Sequence, residues 1–364
     1  MHERVRFGAQ TGGVEMRTVF DAEHEDIRTT VRKLLQRDAD PDDLVVDAAT
    51  NGFLGIGVPE EYGGGGSPDP RFLVTVAEEF VRAGHLGHAV RVVAHAGVAA
   101  PLIAEHATAE TRAQWLPGLA TGVTRVGIGR TALRVTASGD ELILYGHAHS
   151  VVDGPEAGLL VLRVSDPAAD DAVVLVDTTS PGIARTDVAT PLALGGANLA
   201  DLIFDEVRVP AKSRLPHAAV ADFDKDDRLW LAVLAVAGTR AALDTTIAYV
   251  KERKVFGTPV ASFENTRIVL GEALAQCEAA ETLIDAVIAE RVSSTLTTER
   301  SAVAKLQAIE LFSRISDQGM QLHGGYGYMR EYPISQLYAD ARYFRLGIDG
   351  STALATELAD RIAT

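Results

Sequence analysis

Residues 229–237 read Leu-Trp-Leu-Ala-Val-Leu-Ala-Val-Ala, nine apolar residues in succession. Wound into a helix, such a stretch is apolar on every face, so protein must cover it on all sides. It is far shorter than the roughly 20 residues that cross a bilayer. The chain therefore needs a bundle built around this segment. With 364 residues, 47% of them hydrophobic, it has the material for a large core and for two or three domains.

From Phe20 onward, Ile27, Val31, Leu34 and Leu35 recur at helical spacing, with Arg28, Arg32, Lys33 and Arg37 on the remaining positions, which predicts an amphipathic helix. Glycine and proline over residues 51–66, followed by Pro68 and Pro70, predict a mobile loop before helical spacing resumes at Leu73, Val76, Ala77 and Phe80. Pro101 is expected to interrupt the next helical stretch, and Pro117 with Gly118 and Gly122 to close the helical region. Between about Arg125 and Leu215, short apolar runs at 142–144, 159–164, 173–176 and 202–209 are bounded by Gly, Pro and Asp, the pattern of a small β domain. Helical sequence then returns to the end, with Leu270, Leu274, Cys277, Ile284 and Ile288 in a narrow stripe. The fold class expected is mainly α with a small β domain. Its parts are an N-terminal helical domain (18–124), a middle β domain (125–220) and a C-terminal helical bundle (221–364). Residues 1–17 read either as a disordered N-terminus or as an extension ahead of a start at Met16.

Thirty-four basic against 50 acidic residues leave a net charge of -16, which argues against nucleic acid and anionic membrane as partners. Any anionic ligand then depends on local cations, such as a cluster of Arg240, Lys251 and Lys254. A single cysteine, Cys277, excludes an intrachain disulfide framework and a zinc cluster of cysteines, and a reducing cytoplasm is the compartment expected. On its apolar stripe, Cys277 is expected to be a buried thiol. The N-terminal residues hold no apolar core of signal-peptide length, and no later run reads as a membrane span.

Two C-terminal segments carry the strongest chemical signal, Glu252-Arg253-Lys254-Val255-Phe256-Gly257 and Gln321-Leu322-His323-Gly324-Gly325-Tyr326-Gly327-Tyr328. A guanidinium offers paired donors to a phosphate, an aromatic ring packs on an apolar cofactor face, and glycines let backbone approach a ligand. Each also has a plainer reading. Basic residues suit a helix C-terminus through the macrodipole, and a glycine-rich helix end is commonly only a turn.

Five stretches in order alter that balance. They are Val58-Pro59-Glu60-Glu61-Tyr62-Gly63-Gly64, Trp115-Leu116-Pro117, Phe204-Asp205-Glu206-Val207-Arg208-Val209-Pro210, the Glu252 segment, and Gln321 through Arg330-Glu331-Tyr332-Pro333. Together they resemble the acyl-CoA dehydrogenase family of flavoproteins over nearly the whole chain. The resemblance implies an FAD-dependent removal of two hydrogens from an acyl thioester, with an electron-transfer flavoprotein as electron acceptor. A carboxylate takes the α-proton and the β-hydrogen leaves as hydride. It also implies that Arg253, Phe256, Gln321, Gly324 and Gly325 contact the adenine-dinucleotide end of an FAD carried by a neighbouring subunit, with Ser351 as a further cofactor contact.

The chain departs from the family where the flavin ring is held. A Thr-Glu-Pro-x-x-Gly-Ser-Asp stretch is replaced by Val126-Gly127-Ile128-Gly129-Arg130-Thr131-Ala132, and the later Trp-Ile-Thr position by Ser150-Val151-Val152-Asp153-Gly154. The family's catalytic Glu is also absent. After Asp340-Ala341-Arg342, Ile348 takes its place without a gap and Asp349 with a one-residue insertion; Asp227 aligns with a second family location. Aspartate is one methylene shorter than glutamate, and a misplacement of about 1 Å can cost on the order of a hundredfold in rate. Asp349 reads equally as a turn residue before glycine, Asp227 as a charge near a helix start, and Glu264, where Gln is usual, as a solvated helix-start carboxylate. The first functional expectation is a degenerate subunit of a heteromeric enzyme, a heterotetramer resembling those that some bacteria use for bulky fatty or steroid side-chain thioesters. The alternatives are a self-sufficient homo-oligomeric dehydrogenase with Asp349 as base, or a flavin monooxygenase or oxidase on the same scaffold. A structural protein that binds no flavin is disfavoured by the retained Arg253, Phe256 and Gln321 segments.

Overall fold

The computed structural model of the protein describes residues 17–37, 44–165, 170–186, 191–346 and 348–363. Residues 1–16, which carry the expectation of a disordered or upstream N-terminus, lie outside the described residues. Helix α1 (Ala22–Leu35) begins at Asp21, whose side chain and backbone complete a capping box with His24, and it buries Val31 and Leu34. Helix α2 (Leu44–Thr50) leads into residues 51–66. These are not an open loop: two 3-10 turns, Phe53–Gly55 and Glu60–Tyr62, bury Phe53, Leu54 and Val58. Helix α3 (Arg71–Arg82) follows.

Pro101 does not interrupt the helix expected to break there. Helix α4 (Leu86–Val93) passes through a π-helical turn, Ala94–Ala99, into α5 (Ala100–His106), and Pro101 sits in the first turn of α5. The π-turn has already released the backbone pairing that proline would spoil. Its Gly97 carbonyl accepts from Trp230 Nε1 at 2.8 Å, and a Cβ on Gly97 would lie 2.3 Å from that nitrogen. Helix α6 (Ala109–Thr121) carries Pro117 inside it and stops at Gly122, φ 72°.

Among the described residues, seven strands form the middle region: β1 (Val126–Thr131), β2 (Arg134–Ser138), β3 (Glu141–Val151), β4 (Leu159–Val164), β5 (Ala172–Asp177), β6 (Ile183–Thr186) and β7 (Ala200–Pro210). They make one sheet of order β1-β4-β5 and another of order β2-β3-β7-β6. The period-2 alternation of a strand divides β4 and β5 between two cores. Leu160, Leu162, Val174 and Val176 pack between the sheets with Leu144, Phe204 and Val207, whereas Leu159, Val161, Val173 and Leu175 join the helical core.

Helix α7 (Ala218–Glu252) runs 35 residues through the centre of the molecule. Helices α3, α4, α8 (Glu264–Val292), α9 (Thr298–His323) and α10 (Pro333–Phe344), the π-turn and strand β5 all pack on it, so the apolar stretch at 229–237 is buried except at Leu231 and Ala237, which are half-buried. Leu86–His106 and Ala218–Glu252 are long and apolar enough to cross a membrane, and both are largely packed inside the protein. The α8 stripe holds for Cys277, Ile284 and Ile288, which are buried; Leu274 is 39% exposed because its position turns toward the open side of the helix. A short hairpin, β8 (Lys254–Val255) and β9 (Thr258–Pro259), joins α7 to α8, and α11 (Ser351–Ala363) ends the described chain.

Candidate functional site

Helix α7 carries a different kind of site at each end. Asp227 lies near its start and Arg253 caps its finish. Twenty-six residues of helix at 1.5 Å each separate them by roughly 39 Å, longer than an extended flavin dinucleotide.

At the first end, charged side chains from five elements, β1, β4, α7, α9 and α11, meet in the interior with Asp349 from the segment before α11. Arg130, on β1, donates to Asp227 Oδ2 through Nε and Nη2 at 3.0 Å each and to Asp224 Oδ1 at 2.6 Å, and its guanidinium lies 3.7 Å from Asp349. Arg163, on β4, donates to the same Asp224 at 3.1 and 3.2 Å. Arg228 donates to Asp349 at 2.7 to 3.2 Å and to Glu357 at 2.6 and 3.1 Å, and Lys305 Nζ donates to Asp349 at 2.7 Å. Arg228 and Lys305 are only 4% and 3% exposed. Burial by itself would raise the Asp349 carboxyl, but Lys305, Arg130 and Arg228 together hold it well below the ordinary carboxylate range. A carboxylate so held is a poor proton acceptor. Beside this cluster opens a cleft of about 550 Å³ lined by Arg130, Arg163, Arg228, Ile348, Asp349 and Glu357. The Ser351 hydroxyl, two residues on from Asp349, is buried and makes no hydrogen bond among the described residues.

The other end is open. The β8–β9 hairpin turns through Phe256 and Gly257, φ 51° and 81°, the two positive φ values that a two-residue turn needs. Phe256 is 99% exposed. Arg253 lies 5.3 Å over the Tyr326 ring and has no carboxylate partner among the described residues. Gln321, Gly324 and Gly325 are exposed at the end of α9; Gly324 has φ 60° and ψ -138°, which glycine alone adopts readily, and a Cβ on Gly324 or Gly325 would meet only open space. Sequence reasoning missed Tyr249. Its ring stacks on His323 at 4.1 Å and its hydroxyl donates to the His323 carbonyl, fastening the end of α7 to the end of α9. The signal was available, because Tyr249 stands one helical turn before Arg253.

The structure thus groups Arg253, Phe256, Gln321, Gly324 and Gly325 on one face and places Asp227, Asp349 and Ser351 at the other end of the bundle. Arg240 is not a free cation beside Lys251 and Lys254, since it forks onto Glu281 at 2.6 and 2.8 Å. Glu264 opens α8 as an exposed carboxylate.

A helical region, a two-sheet β region and a helical bundle, with a cleft between the last two, define the architecture. Two family models match the chain, the acyl-CoA dehydrogenase N-terminal domain over residues 17–123 and the acyl-CoA dehydrogenase C-terminal domain over 222–363. The probable acyl-CoA dehydrogenase YngJ of Bacillus subtilis is 29% identical over 318 residues, covering 81% of this chain and 83% of that protein. The mitochondrial long-chain specific acyl-CoA dehydrogenase of Rattus norvegicus is 27% identical over 363 residues, covering 90% and 84%. The crystal structure of an acyl-CoA dehydrogenase from Geobacillus kaustophilus superposes with a TM-score of 0.88 at 26% identity, covering 96% of this chain and 100% of that one. The chain belongs to the acyl-CoA dehydrogenase family, oxidoreductases that act on CH–CH bonds.

Proposed function

We propose that this chain is one subunit of an FAD-dependent acyl-CoA dehydrogenase, and that it contributes the adenine-dinucleotide side of the site to an FAD seated on a homologous partner subunit. The observation that carries the reading is the contrast between the two ends of α7. Asp227 and Asp349, the positions from which a base would come, are held by Arg130, Arg228 and Lys305, while Arg253, Gln321, Gly324 and Gly325 lie open. The distance along α7 supports it too, since no single FAD reaches from Asp227 to Arg253.

The residues of the open face suit a dinucleotide tail. Arg253 would pair with a phosphate, Phe256 would pack on an apolar face, and Gly324 and Gly325 would admit backbone contact where a side chain would intrude. Bound FAD supplies the acceptor for the hydride that leaves the β-carbon, and an electron-transfer flavoprotein would reoxidise it. The α-proton would go to a carboxylate of the partner, and an acyl-CoA thioester is the substrate class. A single buried cysteine suits a reducing cytoplasm.

Co-expression with a homologous dehydrogenase subunit, followed by sizing and flavin counting, tests the reading. The expected result is a hetero-oligomer with one FAD for each pair of chains and little flavin on this chain alone. Full FAD occupancy on the isolated chain, together with thioester oxidation, would support the self-sufficient enzyme instead.

A further inference from the structure

Residues at the open face fit the tail of FAD, but those at the central seat do not fit its ring. By the family resemblance the ring lies between the stretches at 126–132 and 150–154 on one side and the base positions on the other. A planar ring sandwiched there would hold the facing groups roughly 7 Å apart, two contacts of about 3.5 Å each. In this chain one side chain spans that gap, at the edge of the cleft that it helps to line. Arg130 leaves β1, lies over the Phe223 ring at 5.2 Å, and reaches Asp227 at 3.0 Å and Asp224 at 2.6 Å.

We propose that Arg130 is a built-in plug, whose side chain, clamped by Asp224 and Asp227, fills the seat between β1 and the bundle that a flavin ring would need. The inference rests on the subunit reading and names the residues that make the chain's own centre inert. Three further observations support it. Only Ala132 and Leu133 join β1 to β2, and Leu133 is buried in the sandwich core, so the short link offers no loop to cradle a pyrophosphate. The Thr131 hydroxyl donates inward to the His147 carbonyl at 3.0 Å and does not face the seat with a free donor. Finally, Arg130, Arg163, Arg228 and Lys305 face Asp224, Asp227, Asp349 and Glu357, with Asp171 at the rim on Arg163, so the cluster satisfies itself without an outside ion.

The pair Arg130 and Asp227 can be removed together without unbalancing the rest, because Asp224 keeps Arg163 and Asp349 keeps Arg228 and Lys305. Riboflavin is the suitable probe: it has the ring and lacks the nucleotide tail, so the Arg253 face cannot account for its binding. Fluorescence titration of the full chain would compare the native protein, Arg130→Ala/Asp227→Ala, and the size-conserving Arg130→Gln/Asp227→Asn. Should the first variant fail to fold by circular dichroism, Arg130→Ser/Asp227→Asn opens the same space with hydrogen-bonding side chains. The plug predicts that the opened variant binds riboflavin about tenfold or more tightly than the native chain, while the size-conserving variant excludes it as the native chain does. A folded, opened variant that binds no better than the native chain overturns the plug and leaves the subunit reading standing. Tight riboflavin binding by the native chain contradicts both.

Discussion

The two ends of α7 use the same residue types to opposite purposes. Around Asp349 the arginines and the lysine are buried and spent on carboxylates of their own chain; around Arg253 the guanidinium lies over the Tyr326 ring with no carboxylate partner among the described residues, and Phe256, Gly324 and Gly325 are exposed. The difference teaches that one residue type can be consumed inside a fold or left available at its surface. Charges in a low-dielectric interior are tolerated when they pair with one another, as they do beside the cleft at the first end of α7.

The largest expected effect lies at the closed end. Arg228→Ala leaves Asp349 with one fewer partner and Glu357 with Arg361 alone, and breaking a buried pair costs about 3–5 kcal/mol, readable by urea denaturation. Arg253→Ala at the open end should change stability by less than about 0.5 kcal/mol in the same assay. A loss at Arg253 as large as that at Arg228 would erase the contrast.

A pH titration sharpens it from a third position. Asp340, 3% exposed, accepts from the Leu194 amide at 2.6 Å and from Gln336 at 2.7 Å, yet burial pushes its carboxyl up to about 6 from 3.8. The folded state therefore binds a proton that the unfolded state has released between those values. The stabilisation is complete below pH 3.8 and is lost as pH rises through 6, up to about 3 kcal/mol. Asp340→Asn keeps the acceptor without the charge, so its stability advantage over the native chain should grow from pH 4 to pH 7. A gap that stays flat with pH would show that the carboxyl is not raised.

Smaller effects follow. Gly324→Ala has open space for its Cβ but must adopt φ 60°, ψ -138°, at a cost of about 1–3 kcal/mol of local strain. Its global melting should fall modestly, while flavin retention in a co-expressed complex should fall sharply. Cys277 is fully buried and its thiol is pushed up to about 12 by burial, so an aromatic disulfide reagent at pH 8 should leave it untouched until the chain is unfolded.

Much of this architecture was legible in the sequence because it is written in local periods. Val31 and Leu34 mark α1, the apolar run at 229–237 marks the covered centre of α7, and the near-continuous apolar run of β4 marks a strand buried on both faces. Features set by distant partners escaped, beyond the 51–66 turns, Tyr249 and the Arg240 pairing already described. Pro101 reads as a break because nothing in the sequence announces the π-turn that accommodates it. Leu274 continues a stripe by spacing, but the partner surface that decides its burial lies elsewhere in the chain. The ion-pair cluster escaped most fully, since Arg130 meets Asp227 across 97 residues and Arg228 meets Asp349 across 121. Candidate bases can be named from position alone; whether they are free to act depends on partners that only the fold assembles.

The most direct test of the account counts FAD in a purified complex with a homologous partner, before and after Arg253→Ala/Phe256→Ala in this chain only. The account predicts one FAD per pair of chains in the native complex and loss of most of it in the variant, with assembly intact. Undiminished flavin in the variant complex would contradict it.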